Sequence, residues 1–438
     1  MGHYKKYAAV NQCLRQGETL FIAGSNQGCR ISRRQTDGSR MVHRPRIGIY
    51  TGAGTSHSWL WFVEIFDRMG FHDLVFLDAV AIQEDGLGTI DVLVVSGGDT
   101  VAVAKALGPS GAHRLRDFIA GGGLYVGACA GAYLVMNSSK PHLNHFNFTG
   151  VKITNLSKFL PACRHLPHKF AQTYGCDYIF HPVRDTVQLK TTAHLPFAPE
   201  RTLDAPLYGG PGMLAPDDSQ VLAWYHDFTP KTVFLVDREL ARTTLTGRAA
   251  ALCAPLGKGR LYLCGPHFEH PRFPVANALI ADAIYWDNQH PVEGQRFAAP
   301  VPLSSEGDSH RLLHDIKRQT SNARLSANSL EMQPMRWLIG AKYYEPEKIR
   351  VFLEAIWRRL APLETRGPIR ATTEHAQRLL RFAEAATAQV RQLKQQAEQG
   401  GETTDLAQTL FGLLQRYAIS FLELYFQTIC EPIPSSRS

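Results

Sequence analysis

Apolar residues follow two different rhythms along this chain, and the change from one to the other divides it. Between residues 46 and 290, short apolar runs alternate with longer amphipathic stretches. Ile47-Gly48-Ile49-Tyr50, Leu74–Leu77 and Asp91–Val95 have the length of strands. The last is nearly all apolar, as a strand buried on both faces should be. Trp59–Phe66, running to Gly70, has helical length, as do Val101–Leu107 and His113–Ala120. Leu124-Tyr125-Val126 returns to strand. Further on, Val221–Tyr225, Lys231–Leu235, Ala249–Leu256 and Arg260–Gly265 read as strands, the last two joined at Gly257-Lys258-Gly259, and Val275–Trp286 closes the series with a helix. Strands alternating with helices predict a doubly wound α/β fold with a mostly parallel sheet. In such sheets the active crevice lies beyond the carboxyl ends of the strands.

Past a Pro- and Ser-bearing linker at 296–310 the period becomes helical throughout. Arg311–Arg324, Pro346–Leu360, Thr373–Glu398 and Thr404–Thr428 predict four helices, with breaks at Gly367-Pro368 and Gly400-Gly401. The last carries Leu410, Leu413, Leu414, Tyr417, Phe421 and Leu424, enough apolar surface for a buried core helix or an oligomer contact. Residues 1–44 are polar and basic, with room for a short hairpin around Thr19–Ala23. The expected organisation is an extension at 1–44, an α/β domain at 45–295, the linker, and an all-α domain at 311–438.

Composition adds limits. With 44% hydrophobic and 20% charged residues the chain is ordinary for a soluble globular protein. The net charge of +8 is not gathered into one basic block, which argues against a nucleic-acid partner. No apolar run approaches the roughly twenty residues of a membrane span. Eight cysteines without a Cys-x-x-Cys pair, and no apolar segment after Lys5-Lys6, point to a reducing cytoplasm.

The chemistry gathers at strand ends. Gly127-Ala128-Cys129-Ala130-Gly131 follows an apolar run and leads into Ala132–Met136, the pattern of a nucleophile elbow in which a strand turns sharply into a helix. A cysteine there faces a helix N-terminus, where free N–H groups and the dipole favour a thiolate. Ser96-Gly97-Gly98-Asp99-Thr100 ends another strand and belongs beside it. Pro266-His267-Phe268-Glu269-His270 ends a third. In extended chain, residues two apart share a face, so Glu269 can orient His267. Cys129 then reads as nucleophile, His267 as general base and Glu269 as its orienting partner, with the Gly98 and Ala130 N–H groups as an oxyanion hole. His270 competes with His267 for the base role, although its place next to Glu269 points the two side chains apart. Gly97, Asp99 and Tyr133, with Tyr208, Gly209 and Gly210 of a second glycine loop, are expected to line the substrate pocket.

Two other clusters lead elsewhere. Gly52-Ala53-Gly54-Thr55-Ser56-His57 lacks the third glycine of a dinucleotide fingerprint, so no nucleotide cofactor is expected. Cys163-x-His165-x-x-His168, in a His-rich stretch at 140–200, offers three ligand types without a second ordered cluster. That stretch reads as a covering insertion with some strand content, and no metal is expected.

Four segments together, Ser-Gly-Gly-Asp-Thr (96–100), Gly-Ala-Cys-Ala-Gly-Ala-Tyr (127–133), Tyr-Gly-Gly-Pro-Gly (208–212) and Gly-Lys-Gly-Arg-Leu-Tyr-Leu-Cys-Gly-Pro-His-Phe-Glu (257–269), resemble the biotin–protein ligase N-terminal-like family of the class I glutamine amidotransferase-like superfamily. The resemblance covers residues 44–290. It implies a flavodoxin-like α/β/α sandwich and a Cys129–His267–Glu269 triad. Two departures bound it. Glutamine amidotransferases carry Gln where this chain has Tyr133, and nothing here resembles the Gly-Arg-Gly-Arg biotinyl-adenylate loop of a ligase catalytic domain. Biotinylation is not expected. The leading reading is a cysteine hydrolase or amidotransferase-like enzyme acting on a small amide or acyl substrate. The second is a non-catalytic ligand-binding or regulatory module whose helical domain engages a protein partner or a second copy.

Overall fold

A computed structural model describes residues 45–156, 179–192, 200–287, 306–340, 342–366 and 368–430. The extension at 1–44, the Cys163–His168 cluster and most of the linker at 296–310 lie outside the described residues.

The strands are β1 (Ile47–Tyr50), β2 (Leu74–Leu77), β3 (Val92–Val95), β4 (Leu124–Ala128), β5 (Lys152–Ile153), β6 (Val183–Thr191), β7 (Thr202–Leu207), β8 (Met213–Leu214), β9 (Gln220–Phe234), β10 (Ala249–Leu256) and β11 (Gly259–Cys264). They form one sheet in the order β2-β1-β3-β4-β11-β10-β9-β6-β7, with β5 and β8 attached at its side. The core of the sheet, β2-β1-β3-β4-β11, is parallel, and beyond it the pairings become antiparallel. This parallel order is that of a flavodoxin-like fold, with its switch point between β1 and β3.

Alternation sorts the side chains into two apolar layers. Ile47, Ile49, Val92, Val94, Leu124 and Val126 face one side, against α1 (Trp59–Met69) and α6 (Pro274–Asp287). Tyr50, Leu93, Val95 and Tyr125 face the other, against α3 (Thr100–Ala120) and α4 (Ala130–Val135). Two short helices, α2 (Ala79–Gln83) and α5 (Arg238–Leu245), fill the periphery. α3 covers the two helices expected there, and its backbone breaks at Gly108 (φ 57°), just before Pro109.

Sequence and structure differ at β9. Two strands were expected, and one continuous strand is formed. Between Asp185↔Thr232 and Val187↔Phe228 the register shifts, so Pro230, which cannot donate to a ladder, sits in a bulge rather than a break.

α7 (Glu306–Glu331), α8 (Glu347–Glu364), α9 (Thr373–Glu398) and α10 (Thr404–Ile429) form the helical region, with a hairpin, β12 (Trp337–Ile339) and β13 (Lys342–Tyr344), between the first two. α10 is buried along most of its length within this chain. The bundle docks on α1 and β2. Phe352 meets Trp59, Phe426 meets Phe76, and Arg359, 3% exposed, pairs with Asp67 at 2.9 Å and Glu64 at 3.4 Å. Among the described residues, no helix is long and apolar enough to cross a membrane.

Candidate active site

The elbow is built by close approach. Cys129 has φ 51° and ψ −105°, a conformation non-glycine residues rarely adopt, and so one that marks a functional position. Its neighbours must be glycine: a Cβ on Gly131 would lie 2.1 Å from the Val95 oxygen, and one on Gly127 would lie 2.6 Å from the Gly131 carbonyl. The Cys129 N–H donates to the Cys264 carbonyl, and Tyr125 donates its hydroxyl to Gly131. The turn from β4 into α4 is therefore held from two sides, with the thiol at the sheet's carboxyl end.

His267 arrives on the turn after β11. Its N–H donates to the Pro206 carbonyl on β7, and Asn277 of α6 donates to the carbonyls of Phe268 and His270. The ring sits against the end of β3, where a Cβ on Gly97 would be 2.5 Å from it. Nδ1 is 2.6 Å from Glu269 Oε1, and Cys129 acts on the same ring through its charge. Cys129, His267 and Glu269 are thus brought together, although the two outer members are far apart in sequence.

Charge explains the ring's ionisation. Glu269 is fully buried and its Oε2 has no hydrogen-bond partner, so the charge it carries is balanced mainly through His267. Burial alone would push the imidazole's pKa down. The Glu269 carboxylate, with the hydrogen bonds and charge of Cys129, outweighs it and holds His267 up at about 10. His270 takes the opposite course. Its Nδ1 accepts from the Arg272 N–H, and burial followed by the nearby charges of His267 and Arg272 holds it down at about 4. Geometry and charge separate the two histidines that sequence spacing leaves in competition.

The residues expected to donate to an oxyanion follow the ends of the paired strands β3 and β4, where Val95 lies opposite Gly127. Thr55 and Gly98 form a bridge through Ser56 N–H to Gly97 O and Asp99 N–H to Gly54 O. In such a pair the Gly98 N–H points away from Thr55. Gly98 has φ 157°, and a Cβ on it would fall 2.0 Å from the Gly54 oxygen. Ala130 opens α4, so its N–H is one of the helix's free donors.

The expected pocket residues divide. Tyr208 stacks near His267 at 5.7 Å, and a Cβ on Gly210 would meet the Gly265 oxygen at 1.7 Å, so the second glycine loop does close on the strand ends. Tyr133 donates its hydroxyl to the Gly209 carbonyl at 3.2 Å, tying this loop to the elbow helix. Asp99 caps α3 instead, accepting from the Val101 and Ala102 N–H groups.

Three residues were not foreseen. Trp61 stands between His57 (5.3 Å), His267 (5.4 Å) and His270 (4.4 Å). Trp61 follows His57 by one helical turn, a spacing that could have signalled their contact. His57 is buried with its Nδ1 unpartnered, and burial, then the charges of Lys342 and Lys348, hold its pKa well below the ordinary value. Lys342, on the hairpin β12–β13, acts on His57 and Cys129 through its charge, and nothing in its local sequence marks it. No cluster of three potential metal ligands occurs among the described residues.

Similar proteins give the context. Among solved structures, the chain is similar to a cytoplasmic protein from Salmonella typhimurium (10% identity over 61% of this chain and 94% of that one, TM-score 0.29). It is also similar to a protein described as ThuA-like from Bacteroides uniformis (15% identity, 59% and 98% covered, TM-score 0.34). A cold-adapted β-galactosidase from Rahnella sp. R3 gives 12% identity with a TM-score of 0.31, over 54% of this chain; the chain spans about a third (31%) of that enzyme. No curated protein sequence matches. The sequence model of the family described as biotin-protein ligase, N terminal, matches residues 46–288, more than half of the chain, and this protein belongs to that family.

Proposed function

We propose that the protein is a cysteine-dependent hydrolase or amidotransferase-like enzyme acting on an amide or related acyl carbon through a thioester. The observation that carries this reading is His267 lying between a strained elbow cysteine and a buried carboxylate, 2.6 Å from the latter. A histidine that keeps its proton to about pH 10 beside a thiol serves as the cationic partner of a thiolate. Cys129 Sγ attacks the carbonyl carbon, and the displaced π pair goes to oxygen, where the Gly98 and Ala130 N–H groups receive it. When the carbonyl re-forms, the C–N bond breaks and His267 Nε2 gives its proton to the leaving amine. Water then attacks the thioester, His267 takes its proton, and the thiolate leaves. Glu269 holds the ring and balances the imidazolium throughout. Tyr133 fills the position where amidotransferases carry glutamine, so an acyl group other than glutamine's is favoured.

The test is trapping. The protein is mixed with p-nitrophenyl acetate, quenched in acid and digested, and the peptides are weighed. An acetyl group on the peptide bearing Cys129, absent from Cys129→Ala, is expected. Acetylation confined to lysines, the same in both proteins, would overturn the reading.

A further inference from the structure

One aromatic residue of α1 is left out of the core that its neighbours fill. Leu60 and Phe62 are buried, whereas Trp61 between them stays partly exposed. Among the described residues, neither Trp61 nor Tyr208 belongs to the two apolar layers that pack the sheet. Their rings lie together at the strand ends, 6.3 Å apart, with His270 4.4 Å from Trp61 and 6.4 Å from Tyr208. Trp61 and Tyr208 also stand against the ring of His267, at 5.4 and 5.7 Å. All three members of this triangle are partly exposed, while His267 is buried and Glu269 fully so. A partly exposed aromatic surface thus adjoins the buried imidazole–carboxylate pair.

Three separate segments build this surface, and each is fastened. Tyr208 leads into the glycine loop, where Gly210 packs against Gly265 and Tyr133 bonds to Gly209, and the Arg184 guanidinium lies 5.8 Å from the Tyr208 ring. His270 donates its N–H to the His267 carbonyl, its own carbonyl accepts from Asn277, and the Phe273 ring is 5.4 Å away. Trp61 is held by the first turn of α1, its N–H donating to the Ser58 carbonyl, and by the His57 ring. Side chains fixed in advance lose little freedom when a ligand arrives. What they offer is π faces. Burial, then the charge of His267, keeps His270 uncharged at neutral pH. A cationic guest is disfavoured, because Arg184 already stacks on Tyr208 and the protonated His267 adjoins both larger rings. A flat, uncharged aromatic ring is the guest that edge-to-face and offset contacts reward.

We infer that Trp61, Tyr208 and His270 form a platform beside His267 that receives an aromatic ring carried on the leaving amine of the substrate. The amine side follows from the reaction: His267 gives its proton to the leaving nitrogen, so the groups that adjoin His267 meet what that nitrogen carries. The substrate class is then an amide whose nitrogen bears an aryl or arylmethyl group. This inference rests on the reading of Cys129 as the attacking group and of His267 as the proton donor.

Three uncharged reagents sharing one electrophile test it: 2-chloroacetamide, N-benzyl-2-chloroacetamide and N-cyclohexylmethyl-2-chloroacetamide. In each, the Cys129 sulfur forms the C–S bond and chloride leaves with the C–Cl electron pair. The rate of Cys129 modification, read by mass spectrometry of the digested protein, is divided by the rate of the same reagent with glutathione. Dividing again by the value for 2-chloroacetamide cancels any effect of a substitution on the thiol itself. The expected result is a preference for the benzyl reagent that saturates with concentration and exceeds that for the cyclohexylmethyl reagent about fivefold. It should be lost in Trp61→Leu, reduced in Tyr208→Leu and largely retained in Trp61→Phe. A parent protein whose Cys129 reacts readily, but no faster with the benzyl than with the cyclohexylmethyl reagent, would overturn the platform while leaving the cysteine reading intact. A preference unchanged in Trp61→Leu would do the same. Failure of all three reagents to modify Cys129 would instead overturn the cysteine reading, and a substrate role for the platform with it. The parent's preference needs no variant, so misfolding of a substituted protein cannot hide the answer.

Discussion

The sheet end and the helical region contribute to one site in different ways. At the sheet end, chemistry follows from local backbone: glycines at 127 and 131 force the elbow, and two residues of spacing set Glu269 on His267. In the helical region, chemistry follows from docking. The hairpin that carries Lys342 packs on α10 through Tyr344 and Phe411, and α8 and α10 are fastened to α1 and β2 through Arg359, Phe352 and Phe426. The contrast teaches that side chains set by local spacing and side chains brought in by docking depend on separate parts of a chain, joined by one interface.

The largest expected effects break the sheet end alone. Glu269→Gln leaves His267 without its carboxylate and should lower turnover by about 10⁴-fold, measured as kcat/KM on any amide or ester substrate found. The same loss should bring the high-pH limit of activity down. In the parent that limit is expected where His267 loses its proton, at about 10. Gly98→Ala would press a methyl against the Gly54 oxygen and displace the N–H proposed as an oxyanion donor, with kcat expected to fall by about 10²–10³-fold.

Next comes the joint. Arg359→Ala takes from Asp67 its guanidinium partner at the docking surface, while Glu64 keeps Arg68, and should destabilise the fold by about 3 kcal/mol, read from denaturant unfolding.

Smaller effects sharpen the contrast. His270 is half-buried with its pKa depressed to about 4, so the stability it contributes is present above about 6.5 and lost as pH falls through 4. Thermal unfolding followed between pH 7 and 4 should show this decline, and His270→Asn should flatten it. Tyr133→Phe removes the hydroxyl's bond to Gly209 and should cost about 1 kcal/mol, mainly by loosening the second glycine loop.

The same contrast governs what the sequence reveals. β1, β2, β3, β10 and the four long helices lie close to where apolar periodicity puts them, because each buries one face or all of itself locally. β6 and β7 are harder to read. The alternation of β6 is interrupted at Asp185, which has φ 71° beside a register shift. The cysteine, histidine and glutamate are legible because glycine spacing and strand ends are local signals. His57 hides inside a broken dinucleotide pattern, where its position only disqualifies a cofactor. Lys342 is invisible for a stronger reason: its place depends on contacts between segments hundreds of residues apart, and no period records them.

The central claim is that His267 activates Cys129, and the rate of Cys129 alkylation by iodoacetamide from pH 5 to 10, in the parent and in His267→Ala, tests it most directly. The account predicts rapid alkylation already at neutral pH in the parent. In the variant the rate should climb only towards the range near 8.5 where an ordinary free thiol ionises. Superimposable profiles in the two proteins, or a Cys129 that reacts in neither, would contradict it.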